Sequence, residues 1–365
     1  MASAFAPFGR FGGQVRPSLV TTLEEFLAEA RQRGASDLHL SAGAVPYVRI
    51  EGEIVRLPRA EIEEKEAGSL TRACAKLGKV SLGSDVDFCI DAQDLGRFRV
   101  NLHTHARGAG LAIKCIPVKV LPLAELGLPT SLNEATLFRT GMVLATGPAG
   151  CGKTCTLAAL LEEVNRSRRD HIVTIEDPIE FVFPSEGCNV TQRQVGPHTR
   201  SFSSALRSAL REDPDVILVS ELRDVETIRT AVVAAETGHL VLGTLHTRDA
   251  SSTVSRLIDV FPPAEQDQIR TMIAASLRTV ISQRLLPRAG GGRRVAAYEI
   301  LQVTPAVAHM IRDGRTHQLA SQLQTGRRQG MIDLDARLEE MVAEGLIARE
   351  TAVRHAKNRK RFGDG

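Results

Sequence analysis

Aromatic side chains are scarce in this chain of 365 residues, which has no tryptophan, two tyrosines and 12 phenylalanines. Proteins that hold single-stranded nucleic acid stack its bases on aromatic side chains along a basic groove. No stretch of the sequence interleaves aromatic and basic residues in that way, and the formal net charge is only +3. The one basic run, at 354–361, is typical of a solvated tail. We therefore expect no nucleic-acid partner.

Cysteine is sparse as well, and its spacing is uninformative. The six cysteines are scattered, and no two of them form a C-x-x-C pair. This pattern argues against a zinc site and against a disulfide framework. Cys151 lies within a glycine-rich loop, where a disulfide would obstruct a bound ligand. Its position favours a reducing compartment.

Long apolar runs are absent too. No segment reaches the ~18 consecutive apolar residues of a transmembrane helix. The first twenty residues contain no continuous apolar core of the kind that a signal peptide has. Apolar residues nevertheless make up 43% of the chain, which is enough for ordinary packed cores. We expect a cytoplasmic protein.

The length exceeds that of one typical domain and predicts two. Residues 1–19, rich in glycine, proline and phenylalanine, predict a flexible leader. Residues 20–116 separate their strands from two helices, which is typical of an α+β domain. Residues 117–130 contain three prolines and predict a linker. Strands and helices alternate from 131 onward, as an α/β parallel sheet requires, and residues after 263 are mainly helical with a hairpin across 290–292.

The central feature is an apolar strand at 142–146 that leads into a glycine-spaced loop and then a helix. The spacing Gly147-x4-Gly152-Lys153-Thr154 fits a phosphate-binding loop. Its glycines let backbone N–H groups point inward, and the helix N-terminus adds its positive dipole end. Lys153 is expected to reach the β- and γ-phosphates of ATP, and the Thr154 hydroxyl to ligate Mg²⁺. The predicted nucleotide-binding residues are Gly147, Pro148, Ala149, Gly150, Cys151, Gly152, Lys153, Thr154 and Cys155.

Two further strands end in acidic residues. The strand at 216–219 leads to Glu221, and the carboxyl ends of parallel strands line the ligand crevice of an α/β sheet. Glu221 is therefore expected beside the γ-phosphate, where it would orient the attacking water or hold Mg²⁺ through a water. The strand that ends near Glu176 predicts a second metal-side carboxylate, because acids near a triphosphate require a cation between them. Asp177 and Glu180 are alternatives in the same segment, although Asp177 also suits a turn before proline.

Histidines flank the strand at 240–245. His239 and His246 are seven residues apart and so stand at its opposite ends. Each is either a packed strand-end histidine or part of a phosphate sensor or subunit contact. Their spacing gives no zinc site, because a third ligand at a suitable distance is missing.

Three arginines mark the first domain. Arg97 and Arg99 alternate with apolar residues and so share one face of a strand, and Arg107 follows. Such a face supplies charge to a nucleotide held elsewhere, as arginine fingers do, or is simply a solvated sheet face.

Together these motifs resemble the secretion ATPase superfamily of type II secretion and type IV pili, and most closely its twitching-motility (retraction) ATPases of the PilT type. The similarity runs from about residue 22 to residue 357. The segments with the most specific resemblance are ASDLHLSAG at 35–43, RFRVN at 97–101, TIEDPIEF at 174–181, SALRSALREDPD at 204–215 and AETGHLVLGTLHT at 235–247.

The resemblance implies an N-terminal PAS-like α+β domain joined to a RecA-like P-loop ATPase domain with a helical C-terminal extension. It implies a homo-hexameric ring that uses ATP and Mg²⁺ at the inner face of the cytoplasmic membrane. The implied partners are an inner-membrane pilus platform protein and a paralogous pilus ATPase. The implied activity is ATP hydrolysis that drives pilus retraction.

The resemblance also implies roles for single residues. Glu176 corresponds to the aspartate box, Glu221 to the Walker B catalytic acid, and His239 with His246 to the histidine box. Thr154, Glu176 and Glu221 are the implied metal-side residues. The implied catalytic set is Glu221, Lys153, Glu176, His246, Arg97, Arg99 and Arg107.

One departure from the family pattern keeps other functions open. Residues 306–311 are AVAHMI, where retraction ATPases usually have Ala-Ile-Arg-Asn-Leu-Ile. The alternatives are a pilus-assembly or type II secretion ATPase, and a non-catalytic accessory paralogue that binds nucleotide. Assembly ATPases commonly have a tetracysteine metal site, which this chain lacks. A RecA-like nucleic-acid translocase is the third alternative, and DNA-stimulated hydrolysis would favour it.

Overall fold

The computed structural model describes residues 22–83 and 85–363, so the predicted leader lies outside the described residues. The described chain forms two β-sheets with helices packed against them. This confirms the predicted mixed α/β fold class. Among these residues, no helix is both long enough and apolar enough to span a bilayer.

The first sheet is antiparallel and has six strands in the order β3-β2-β1-β6-β5-β4. Its elements are α1 (Leu23–Gln32), β1 (Asp37–Ser41), β2 (Tyr47–Ile50), β3 (Glu53–Arg56), α2 (Glu64–Gly78), β4 (Asp85–Asp91), β5 (Arg97–His105) and β6 (Gly108–Cys115). The Thr22 side chain caps α1 by accepting the Glu25 N–H at 3.3 Å. Along β5 the apolar residues Phe98, Val100 and Leu102 are buried and the polar residues between them are part-exposed, so one face of the sheet packs against the helices.

The second sheet has seven strands in the order β13-β12-β7-β11-β10-β8-β9, and all neighbours are parallel except β12 and β13. Its elements are β7 (Gly141–Thr146), α3 (Lys153–Ser167), β8 (His171–Glu176), β9 (Asn189–Gln194), α4 (Phe202–Ala209), β10 (Val216–Val219), α5 (Val225–Glu236), β11 (Leu240–Leu245), α6 (Ala250–Asp259), α7 (Pro263–Ser276), β12 (Leu277–Leu286) and β13 (Val295–Gln302). Every residue of β7, β10 and β11 is buried, because helices cover both faces of the sheet.

The described residues after β13 are mainly helical. They comprise α8 (Pro305–Arg312), α9 (Leu319–Thr325), α10 (Leu334–Ala343) and α11 (Arg349–His355). Helix α8 packs against α7, and α10 packs against β13. Short 3₁₀ segments lie at Gln93–Leu95, Thr130–Leu137, Thr316–Gln318, Gly326–Gln329 and Arg359–Phe362.

The basic residues of the run at 354–361 are exposed, as expected, but the run is folded against the protein and is not a tail. Arg361 forms a two-pronged ion pair with Glu339 of α10, at 2.8 and 2.7 Å. The neighbouring Phe362 is 6% exposed and packs in a small core with Leu338. The segment is therefore part of the folded structure.

Two strands were missed or understated by the sequence patterns. The edge strand β9 lacks a continuous apolar run, because its side chains are only half-buried. The strand β12 lies where a mainly helical region was expected, although the hairpin across 290–292 is present. Its ten residues pair with β7 on one side and β13 on the other.

Candidate functional site

The loop between β7 and α3 curls in a way that only glycine tolerates. Gly147, Gly150 and Gly152 have φ values of +138°, +72° and +94°. A Cβ on Gly147 would lie 2.3 Å from the carbonyl oxygen of Gln283 in β12. The loop backbone therefore presses against the neighbouring strand, and the glycines at the predicted positions have a structural reason.

The side chain of Lys153 folds back into this loop. Its ammonium donates to the carbonyl oxygens of Gly147 at 2.9 Å and Pro148 at 3.0 Å, and the side chain is only 8% exposed. Burial lowers the pKa of Lys153. The ammonium thus lies at the centre of the loop, where the phosphate-loop pattern predicts an anion.

Gln283 of β12 holds the loop through side-chain hydrogen bonds. This role was not predicted from the sequence. Nε2 of Gln283 donates to the Cys151 carbonyl oxygen at 2.6 Å, and its Oε1 accepts from the Thr156 hydroxyl at 2.7 Å. The side chain is 3% exposed. The sequence signal for this role is a glutamine within an otherwise apolar strand, because a buried side-chain amide requires hydrogen-bond partners.

Glu221 lies beyond the end of β10 and contacts Arg223 of its own loop and His246 beyond β11. Its Oε1 lies 2.7 Å from Nε of Arg223 and 3.2 Å from Nε2 of His246. Nδ1 of His246 in turn lies 3.5 Å from Nζ of Lys153. Burial opposes ionisation, yet the hydrogen bond from Arg223 and the charges of Arg223, His246 and Lys153 keep the pKa of Glu221 below its usual value. The structure therefore brings together Lys153, His246 and the ionised carboxylate of Glu221, all three of which were predicted from the sequence.

Glu176 is the last residue of β8, which is the third strand from β7 in the sheet. Glu221 follows β10, which is the second strand from β7. Glu176 accepts, through Oε1, hydrogen bonds from the Thr174 hydroxyl at 2.7 Å and from Nε2 of Gln192 at 3.0 Å. It is 4% exposed, and burial raises its pKa. Neighbouring strands lie about 4.8 Å apart, so Glu176 is the more remote of the two predicted acids. The structure gives it protein partners on β8 and β9.

Arg97 and Arg99 link the first sheet to the segment that follows β8. Arg97 Nε donates to the Ile179 carbonyl oxygen at 3.1 Å. Arg99 forms an ion pair with Glu180 at 3.2 Å, and Lys114 of β6 approaches the same carboxylate at 3.6 Å. The two arginines share one strand face, as predicted, and this face contacts the second sheet's segment 179–180.

Arg107 and His239 are not brought to the loop within this chain. Arg107 lies at the turn between β5 and β6, at the far end of β5 from Arg97, and its side chain packs over Gly43. His239 precedes β11 at the opposite edge of the sheet, where its Nδ1 lies 3.0 Å from the Ala234 carbonyl oxygen. About six residues of strand, or ~20 Å, separate it from His246.

The remaining loop residues lie around the start of α3. Thr154 is part-exposed in the first turn of α3, and Cys151 is buried inside the loop. Cys155 is half-buried, and burial raises its pKa. No cluster of three or more His, Cys, Asp or Glu side chains suited to a metal occurs among the residues that the structure describes. A cation at this site would therefore require a hydroxyl, water and ligand oxygens, which suits Mg²⁺ bound with a polyphosphate.

A cavity of about 420 Å³ opens beside the loop. The loop residues 148–151 and His246 line it. Five further lining residues were not predicted from the sequence: Arg248, Arg284, Leu285, Arg294 and His355. The cavity thus lies next to the loop and offers apolar and cationic side chains. Such a lining suits a ligand with an anionic end and a flatter, less polar end.

Comparison with known proteins gives consistent results. The family model described as "Type II/IV secretion system protein" matches residues 16–361. The chain is 47% identical to the "Type IV pilus retractation ATPase PilT" of Pseudomonas aeruginosa, over 93% of this chain and 99% of that protein. It is 34% identical to the "Type IV pilus ATPase PilU" of the same organism, over 91% and 88%. A crystal structure of the pilus retraction motor PilT with bound ADP superposes with a TM-score of 0.81 at 40% identity, covering 93% of this chain and 98% of that one.

Proposed function

The chain belongs to the type II/IV secretion system protein family, and from that premise we propose that it is an ATP-hydrolysing motor that drives type IV pilus retraction. The observation that supports hydrolysis most directly is the contact series from Lys153 through His246 to Glu221. It places an anion-binding ammonium, a histidine and an ionised acid at one edge of the sheet. The near-complete coverage of the retraction ATPase PilT supports the biological role.

Lys153, Glu221 and His246 would each have a different role in hydrolysis. The ammonium of Lys153 would exchange its two carbonyl partners for phosphate oxygens and stabilise charge that develops in the transition state. The Glu221 carboxylate would accept a hydrogen bond from the attacking water and orient it toward the γ-phosphorus. His246 lies between the two and would respond to the presence of the γ-phosphate.

Mg²⁺ fits the donors at this site. Thr154 supplies a hydroxyl in the first turn of α3, and Glu221 is an ionised carboxylate nearby, with Glu176 further away. When bound, Mg²⁺ would supply positive charge that offsets the negative charge of the phosphates. The adenine and ribose would occupy the cavity beside the loop, between residues 148–151 and His355.

The assembly and location are also part of the proposal. We infer a homo-hexameric ring that acts at the inner face of the cytoplasmic membrane on an inner-membrane pilus platform protein, with no nucleic-acid partner. Residues 20–116 would form the first domain, 117–130 the linker and 131–365 the ATPase domain. The contacts of Arg97 and Arg99 with residues 179–180 would link nucleotide binding to movement between the domains.

A second candidate is a non-catalytic accessory paralogue that binds nucleotide. The segment 306–311 favours it, because it forms most of α8 yet lacks the usual Arg-Asn pair. Ala308 and His309 occupy the place of that pair, and Nε2 of the exposed His309 lies 3.5 Å from Oδ2 of Asp313. The two relatives PilT and PilU come from one organism, so a single organism can have two related pilus ATPases.

Two experiments separate these functions. Phosphate release by the purified ring with Mg²⁺ and ATP is expected for the motor, whereas binding of ATP without release indicates the accessory protein. Gene deletion followed by counting of surface pili tests the direction. Excess pili without surface movement are expected for a retraction motor, bald cells indicate an assembly ATPase, and unchanged pili contradict both.

A further inference from the structure

The residues after α11 lie against the candidate nucleotide cavity. His355, the last residue of α11, lines the same cavity as the phosphate loop. Its carbonyl oxygen accepts from Nη1 of Arg284 at 2.6 Å. Arg284 directly follows Gln283, whose side chain supports the loop through the Cys151 carbonyl oxygen. The C-terminal segment is therefore joined to the same strand that supports the loop.

Lys357 extends from this segment to a buried acid. Its ammonium forms an ion pair with Oε2 of Glu299 on β13. The side chain of Glu299 is 1% exposed, whereas that of Lys357 is about one-third exposed. A buried carboxylate is stable only when it is paired and hydrogen-bonded. Lys357 thus supplies the counter-charge that this position in β13 requires.

The second oxygen of Glu299 holds the start of a helix. Oε1 accepts the backbone N–H of Ala250, the first residue of α6, at 2.9 Å. An acid at that place satisfies one of the free N–H groups of the helix and interacts favourably with its dipole. The side chain of Lys357 is therefore linked through Glu299 to the amino end of α6.

The amino end of α6 continues directly into the catalytic residues. His246 stands four residues before Ala250 and contacts both Glu221 and Lys153. Thr247, the residue after His246, has its hydroxyl 2.6 Å from that of Thr253 in the first turn of α6. The segment 246–253 is consequently a short, hydrogen-bonded connection between Glu299 and the histidine.

The backbone of Lys357 is fixed independently of its side chain. Asp335 of α10, which is 4% exposed, accepts the backbone N–H of Lys357 and that of Asn358, each at 2.8 Å. Removal of the ammonium therefore leaves the segment attached to α10. The side chain of Lys357 has a role of its own beyond anchoring the chain end.

We propose that Lys357 is a positioning residue for ATP hydrolysis, which through Glu299 holds the amino end of α6 and thereby sets His246 against Glu221 and Lys153. This inference rests on the proposed function for its kinetic consequence. Without Lys357, the carboxylate of Glu299 loses its counter-charge and turns toward solvent or binds a proton. Either change weakens the hydrogen bond to Ala250 and loosens the segment that ends at His246.

The test compares Lys357→Met, Lys357→Arg and the control Lys360→Met. Methionine keeps much of the length of the stem without the charge, arginine keeps a cation, and Lys360 is an exposed lysine three residues away. Steady-state hydrolysis in the full-length protein is expected to show a roughly tenfold lower kcat for Lys357→Met with KM within about twofold, near-normal kcat for Lys357→Arg, and no change for Lys360→Met. A purely structural role would lower Tm and leave kcat per folded molecule unchanged, which would overturn the proposal.

A second measurement does not depend on hydrolysis. Hydrogen–deuterium exchange of the peptide that spans 246–254 is expected to be about tenfold faster in Lys357→Met than in the wild type, with peptides of α10 unchanged. Unaltered exchange in 246–254 would overturn the inference even if the protein hydrolyses ATP. Absence of hydrolysis in the wild type would contradict the proposed motor, while the exchange experiment would still decide whether Lys357 positions α6.

Discussion

The carboxylate of Glu221 lies 3.2 Å from the Nε2 atom of His246, although the two residues belong to different strand ends. The contact follows from the sheet order, because β10 and β11 are parallel neighbours whose carboxyl ends meet at one edge. Residues beyond those ends are therefore brought side by side.

The first prediction concerns the Glu221 carboxylate. Glu221→Gln should lower kcat at least about 100-fold, because the amide no longer accepts and orients a proton of the attacking water as a carboxylate does. The affinity for ATP should stay within about threefold, since Lys153 and the loop are intact. Phosphate release and equilibrium binding of a fluorescent ATP analogue measure the two effects. Glu226→Gln, an exposed glutamate in the first turn of α5, is the control. Wild-type turnover in Glu221→Gln would remove this residue from the mechanism.

A second prediction concerns pH and Arg223. The pKa of Glu221 is lowered, so its carboxylate is ionised at neutral pH, and kcat should fall only when the pH drops through that lowered value. Arg223→Gln removes the main group that lowers this pKa, so the acid limb of the kcat profile should move to higher pH. Profiles of kcat from about pH 4 to 8 measure the shift. Arg211→Gln, at an exposed arginine, should leave the limb in place. A shift in the opposite direction would show that another group controls the limb.

The third prediction concerns Gly147. Gly147→Ala should abolish nucleotide binding, because φ is +138° and the new Cβ would lie 2.3 Å from the Gln283 carbonyl oxygen. Gly150→Ala has a left-handed φ of +72° but open space around the Cβ, so it should weaken the protein by about 1 kcal/mol and bind nucleotide more weakly without losing it. Gly290→Ala, with open space and no positive φ, should resemble the wild type. Equal binding by all three variants would contradict the clash.

The fourth prediction concerns Gln283. Gln283→Leu leaves the Cys151 carbonyl oxygen and the Thr156 hydroxyl without their partner, and each buried unsatisfied group costs about 1–3 kcal/mol. We expect a lower Tm and about tenfold weaker ATP binding, since the loop loses its support. Gln302→Leu is the matched control, because it removes a similar side-chain bond to Thr279 elsewhere on the β12–β13 pair. Similar losses of ATP affinity in both variants would indicate a general effect of destabilisation.

Local patterns predicted the loop, the parallel strands and the acid at 221, because each of these depends on residues adjacent in the chain. The strand β9 escaped prediction, since its residues are half-buried at the sheet edge and show little apolar signal. Gln283 and Lys357 escaped for a different reason. Their partners lie 132 and 58 residues away, at Cys151 and Glu299, so only the tertiary fold reveals their roles.

The contacts of the arginines could not be predicted for the same reason, because their partners are distant in the sequence. The alternation of Arg97 and Arg99 indicated a shared face, but not that this face meets the backbone and side chains of residues 179–180. Arg107 lies near them in the sequence, and the family resemblance implied the same role for it. The length of β5 separates it from Arg97 within one chain. A role for Arg107 at a nucleotide would require a site outside its own chain.

The last prediction concerns the pH dependence of stability and Glu299. Burial raises the pKa of this carboxyl despite the opposing charge of Lys357. The folded protein must therefore bury a charge once the pH exceeds the usual pKa of a carboxyl, and its stability falls as the pH rises through that range. Lys357→Met removes the opposing charge and should raise the folded-state pKa further, while the unfolded value stays the same. The free energy lost relative to wild type should therefore be largest near pH 8, at roughly 2 kcal/mol, and shrink toward pH 5 as Glu299 binds its proton in both proteins. Urea unfolding at pH 5, 6.5 and 8 measures the difference. In the double variant Glu299→Gln/Lys357→Met the pH dependence of this loss should vanish, because no charge remains to bury. A loss that is constant with pH, or that grows as the pH falls, would show that the ion pair does not govern this position.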